Sequence, residues 1–222
     1  MIINHVDKID VQILEYGRLT TVGCTHLGNN ISTEDSPLVV LYKEHGAIPM
    51  VKGNLPQHMM IGHTDNLIFG LARNPFDESR SVGGSSGGDA GLVASKCVPF
   101  AIGTDIGGSI RGPAAFNGIV GFKPTSSRSC FLGHVGLKNV NSPIMAAAGP
   151  LCKTVDDVVN YCEMFFSDRM FELDPSVAPL KWDTERYNQV LENKKLRVGY
   201  LAFTEGGVEK SGIPCLPPSK AN

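Results

Sequence analysis

A chain of 222 residues, 42% hydrophobic and 19% charged, is ordinary globular material, long enough for one large domain with a sizeable core. Its formal net charge of −2 and the lack of a basic stripe exclude an electrostatic case for a nucleic-acid partner. No apolar window is long enough to span a bilayer and MIINHVDKIDVQ lacks the apolar core of a signal peptide, so the chain reads as soluble and intracellular.

In chain order, the first clear element is a helix over residues 36–46. There Leu38, Val39, Leu41 and Tyr42 are apolar, Lys43 and Glu44 polar, and Gly46 is the stop. The run AIPMV at 47–51 has the length and apolarity of a buried parallel strand. Residues 87–96 form a small-residue helix, and PFAIG at 99–103 a second buried strand that runs into the loop TDIGGS. IVGFK at 119–123 is a third apolar run, halted by Pro124. In GPLCKTVDDVVNYCEMFF, Thr154 can cap a helix with Asp157 three residues on. Val155, Val158, Val159, Cys162 and Phe166 make its apolar face. LRVGYL at 196–201 reads as a last strand, and the Pro-rich remainder, 202–222, as a disordered tail. Strands alternating with helices predict an α/β domain, with a mixed, largely parallel sheet covered by helices.

Six cysteines (Cys24, Cys97, Cys130, Cys152, Cys162 and Cys215) show no CxxC pair or ligand spacing, which suits reduced thiols in an intracellular protein. The six histidines show no HExxH or paired spacing either, so neither a metal nor an organic cofactor is expected.

The chemistry concentrates in SVGGSSGGDAGLVASKCVPFAIGTDIGGS, where two glycine-flanked serine clusters bracket small and apolar residues. GGSSGG could be a linker, but its flanks are neither polar nor repetitive. It also satisfies G-x-S-x-G twice, at Gly83-Ser85-Gly87 and at Gly84-Ser86-Gly88. A nucleophile elbow needs a strand immediately before it, and Arg80-Ser81-Val82 is a poor one. In TDIGGS the N–H groups of Ile106, Gly107, Gly108 and Ser109 could converge on one point, as in an oxyanion hole. Ser109 at its end is placed as a nucleophile and needs a base. His58 and His63 lie near neither cluster in sequence, and a second serine from GGSSGG could relay the proton instead.

GGSSGGDAGLVASKCVPFAIGTDIGGSIRGPAAFNGIVGFKPT closely resembles, without gaps, the signature of the amidase signature family of Ser–Ser–Lys hydrolases. HGAIPMVKGNLPQHMM, FELDPSVAPLKWDTERYN and KLRVGYL are similar to its eukaryotic fatty acid amide hydrolase branch, and GPLCKTVDDV resembles the family's helix start after the signature. The resemblance implies an amidase-signature fold, of which residues 17–201 supply the N-terminal and central half. Residues 1–16 would then be a divergent N-terminus. It implies Ser109 as nucleophile and Ser85, 24 positions earlier and after a cis peptide bond, as the bridging serine. Ser86 would be an accessory hydrogen-bonding serine, and Asp105 with Arg111 a pair bracing the glycine loop. Met59 would line an acyl-binding channel, although plain core packing accounts for Met59 and Met60 as well. The implied partner is a small-molecule amide, a lipid amide above all, with no cofactor. Membrane association would come through parts outside these residues, and uncovered sheet edges would invite a second copy or another chain.

The pattern breaks at the third catalytic group. The family's lysine position is filled here by Asp10, with Lys8 two residues away and a shift in register needed to use it. Lys52, in MVKGN, aligns with a non-catalytic segment. The sequence therefore carries three readings: a hydrolase of a lipid amide, an impaired relative that binds lipid amides or a partner chain, or an amidase for a non-lipid amide, as in the family's amidotransferases that release ammonia from glutamine.

Overall fold

The computed structural model describes residues 6–10, 15–136, 144–192, 195 and 197. Of the strand expected at 196–201 only Arg197 is described, and it lies in no regular element; the tail at 202–222 lies outside the described residues. The chain divides into two compact units, Met1–Trp182 and Asp183–Asn222. In the second, α6 (Thr184–Glu192) is the described helix.

The first unit is built on a five-stranded sheet: β1 (Val6–Asp10), β2 (Ile48–Gly53), β3 (Phe100–Asp105), β4 (Val120–Gly121) and β5 (Ala147–Cys152), in spatial order β2-β1-β3-β5-β4. β1 lies parallel to both β2 and β3, while β5 runs antiparallel to β3 and β4, so the sheet is mixed. Its parallel side is the one whose strands are joined through helices, as crossover connections require.

Helices cover both faces. α1 (Pro37–Glu44), α4 (Val155–Phe165) and α5 (Asp168–Leu173) pack on one face; α2 (Gly87–Ala94) and α3 (Arg111–Asn117) pack on the other. Strand alternation divides the core accordingly. In β3, Ile102 joins Leu38, Tyr42 and Phe165, while the preceding Ala101 joins Val93 and Ala114. In β5, Cys152 goes with the first cluster and Leu151 with the second.

Two helix starts follow their sequence signals. Ser36 Oγ accepts the Val39 N–H at 3.3 Å, with Pro37 in the first turn of α1. At α4, Thr154 Oγ1 accepts the Asp157 N–H at 3.1 Å while the Asp157 carboxylate accepts the Thr154 N–H at 3.1 Å, a complete capping box. Of the expected face, Val158 and Cys162 are buried in α4 and Phe166 just past its end; Tyr161 and Phe165 join them, while Val159 is half-buried and Val155, in the first turn, is exposed. Tyr161 and Phe165 stack at 5.1 Å between ring centroids, which turns the helix toward its aromatic side.

β1 and β5 were not legible as strands. β5 contains Pro150, whose carbonyl accepts the Phe122 N–H at 3.1 Å. Its nitrogen, on the same side of the strand, therefore faces the two-residue edge strand β4 rather than β3. That is where a missing N–H can be tolerated.

Candidate active site

β3 ends at Asp105 and delivers the loop 106–110 before α3; α2 begins directly after Ser86. The two serine clusters meet here. The Ser86 N–H donates to the Ser109 carbonyl at 3.1 Å. The β1–β3 register covers Lys8↔Ala101 and Ile9↔Ile102. Further along β3, the Ser86 hydroxyl accepts the Thr104 N–H at 3.2 Å and donates to the Thr104 carbonyl at 3.4 Å. That approach depends on Gly103, because a Cβ there would lie 2.6 Å from Ser86 Oγ. Ser85 and Ser86 are both buried, and the Gly84–Ser85 peptide is cis, as the family resemblance implies.

Asp105 organises the glycine loop. Its carboxylate accepts the N–H of Gly108 at 2.7 Å and of Ile110 at 3.0 Å. Arg111 reaches both oxygens, Nε at 3.0 Å and Nη2 at 3.0 Å. Burial pushes the Asp105 carboxyl up, but Arg111 and the three loop N–H groups outweigh it and hold it down at about 2. It is therefore an anion at any physiological pH, and the loop folds around that charge. Gly108 has φ +126°, which an L side chain rarely adopts, and a Cβ there or at Gly107 would enter open space. The Gly108 N–H, expected among the oxyanion donors, is directed at Asp105. Among the described residues, the N–H groups of Ile106, Gly107 and Ser109 meet no main-chain acceptor.

These residues floor a cleft of about 420 Å³. Its lining combines the glycines Gly83, Gly84, Gly107 and Gly108 and Ser109 with the apolar residues Met59, Met60, Ile61, Ile106 and Phe116. The volume lies in the range of small-molecule sites, and an apolar cavity with a few convergent polar groups is their usual composition. The fold thus brings Met59, Ile106, Gly107, Gly108 and Ser109 to one cleft, while Ser85, next to Gly84, is buried and does not line it. Sequence reading did not assign Ile61 or Phe116 to the site: Ile61 lies in no motif, and Phe116 lies within the signature stretch but at an apolar position with no chemistry of its own.

The candidates for a base are spread out. β1 gives Lys8 and Asp10 only their register positions, opposite Ala101 and Gly53 respectively. Lys52 Nζ donates to the Thr20 hydroxyl at 2.5 Å. His63 Nδ1 is hydrogen-bonded to Ser81 Oγ at 2.9 Å, and the His58 ring lies 5.6 Å from that of His26. Among the described residues, no helix is long and apolar enough to cross a membrane.

Comparison with known proteins agrees with this geometry. The Amidase family model matches residues 7–211. The chain is 37% identical over 194 residues to the vitamin D3 hydroxylase-associated protein of Gallus gallus, covering 87% of this chain and 40% of that one. It is 38% identical over 184 residues to fatty-acid amide hydrolase 1 of Sus scrofa, covering 83% of this chain and 31% of the relative. A solved fatty acid amide hydrolase structure superposes with a TM-score of 0.78 at 29% identity, over 81% of this chain and 32% of that one. The chain thus spans a third to two fifths of the length of these relatives. With the mixed sheet, the two joined serine loops and a family model that matches nearly the whole length, the chain belongs to the amidase family.

Proposed function

We propose that this chain carries the nucleophilic half of a serine amidase acting on a fatty acid amide. The observation behind this reading is the cleft, whose lining Ser109 shares with glycine main chain and with the apolar residues Met59, Met60, Ile61 and Phe116. Ser109 Oγ attacks the amide carbon, and the N–H groups of Ile106, Gly107 and Ser109 stabilise the charge that grows on the carbonyl oxygen. The proton leaving Ser109 passes to Ser85 and on to the departing amine as the C–N bond breaks, leaving an acyl ester on Ser109 that water hydrolyses. A neutral lysine completes the relay: it holds the original Ser85 proton while Ser85 takes that of Ser109, and returns it once Ser85 has protonated the departing amine; Lys8 is the residue of β1 that could do so. An apolar lining suits an acyl chain, whose burial contributes about 0.8 kcal/mol per methylene.

The test is labelling by a fluorophosphonate, which reports nucleophilic serines. The native chain should label, Ser109→Ala should not, and amides of increasing acyl length should be cleaved faster up to the capacity of the cleft. Equal labelling of both proteins would remove Ser109 from its role, and a preference for short polar amides would remove the lipid. A second reading rests on Asp10 at the family's lysine position: an impaired relative that binds lipid amides or a partner chain. Loss of a general base lowers rate by about 10²- to 10⁴-fold. A rise of that order in Asp10→Lys would identify the missing base, while a folded, inactive protein that Asp10→Lys does not rescue would favour the second reading.

A further inference from the structure

We infer that Cys24, His26 and His58 form a site for a divalent cation of the zinc class, separate from the serine loops. Their donor atoms, the Cys24 sulfur and one ring nitrogen from each histidine, all lie within 4.8 Å of one another. Tetrahedral zinc with one sulfur and two nitrogens at ordinary bond lengths needs donors roughly 3.3–3.6 Å apart, so closure takes side-chain movements of about 1 Å. His26 is exposed and His58 half-buried, so both rings have room to rotate, while Cys24 is buried at 1% exposure and fixes the base of the site.

The main chain builds this cluster from two turns. Val22 and Gly23, at φ 52° and 65°, reverse the chain. Cys24 then caps the 3₁₀ turn Thr25–Leu27, bringing Cys24 and His26 together two residues apart. His58 sits in the 3₁₀ turn Gln57–Met59 at φ 54°, and its N–H donates to the Val22 carbonyl at 3.1 Å. Gly23 lets the turns approach closely: a Cβ there would lie 3.2 Å from Gln57 Cα. The two imidazole rings lie 5.6 Å apart between centroids, tilted by 35°, and one nitrogen of each lies within 4.8 Å of the other and of the sulfur.

The donor set decides the ion. One thiolate with two imidazoles suits zinc and excludes magnesium and calcium, which require oxygen ligands. Coordination releases the Cys24 thiol proton to solvent and breaks its 3.2 Å hydrogen bond to the Val22 carbonyl. Each neutral imidazole gives one lone pair, and water fills the fourth position. Because Met59 follows His58 directly and lines the cleft, a bound ion would fix the turn that carries part of the cleft lining. Cys24, His26 and His58 have no part in the proposed hydrolysis, and metal binding is read without any substrate.

The probe is Co(II) added to the metal-stripped 222-residue chain. One equivalent should give a thiolate-to-metal charge-transfer band with intense tetrahedral d–d absorption, and Zn(II) should displace it. Cys24→Ser should abolish the thiolate band. His26→Ala, at an exposed position that the fold tolerates, should weaken binding by at least the ~10–100-fold that loss of an outer-sphere partner costs. Cys97→Ser and Cys215→Ser should leave both readings unchanged. The proposal is overturned by the absence of a thiolate band at stoichiometric Co(II), or by loss of the band in Cys97→Ser or Cys215→Ser. Full affinity in folded His26→Ala overturns it equally.

Discussion

Asp105 shows how one buried charge can shape a site without touching the reacting atoms. Its two oxygens collect three main-chain N–H groups and a bidentate guanidinium, and these contacts set the path of the loop that presents Ser109. Arg111 is more than half exposed, so its pairing is partly screened. Arg111→Met should still destabilise the fold by about 1–3 kcal/mol, because it leaves the carboxylate buried with main-chain donors alone. Urea denaturation measures this, and reactivity of Ser109 should fall with it as the loop loosens. At Gly108 the argument is backbone conformation: with φ +126°, Gly108→Ala should cost about 1–3 kcal/mol and slow labelling of Ser109. Unchanged stability and labelling would mean that the loop adopts another path without penalty.

The elements differ in how far their sequences announce them. α1 and α4 were legible because capping residues and periodic apolar positions both lie in the local sequence; Thr154→Ala should cost α4 about 1 kcal/mol in urea denaturation, at an exposed site with little else to lose. β3 was legible as a short buried apolar run, and β2 as a strand but not in its burial: it lies at the edge of the described sheet, where Ile48, Met50 and Val51 are exposed rather than buried. β1, with the sequence VDKID, was not, since a strand paired on both sides is held by main-chain hydrogen bonds that charged residues do not prevent. β5, AAGPLC, hides behind small residues and a proline that tertiary pairing accommodates. The same division holds in the cleft. The serine and glycine positions formed a motif, whereas Ile61 and Phe116 are ordinary apolar residues brought in by the fold. Cys24, His26 and His58 show no ligand spacing in the sequence, because the third comes from a separate turn.

At the scale of the whole molecule, the response to acid should come in two stages. Burial, ahead of the opposing backbone carbonyls, lowers His134 from 6.5 to about 4. A depressed histidine stays neutral in the fold while the unfolded chain takes up a proton, so stability is complete above pH 6.5 and declines toward pH 4. Asp105 acts lower: its contribution is complete above 3.8 and disappears as pH falls toward about 2. Denaturation followed from pH 7.5 to pH 2 should show the first decline, on the order of 1–3 kcal/mol, and His134→Gln should flatten it while leaving the second. A curve for His134→Gln that overlays the native one would remove that histidine as its source.

The hydroxyl of Ser86 occupies, beside Thr104, the position a neighbouring strand would otherwise fill, while its amide grips the carbonyl of Ser109. The sheet and the two serine loops are therefore joined at a single residue, so a displacement of one is carried to the other two. The apolar residues of the cleft take no part in that joint and could change without disturbing it.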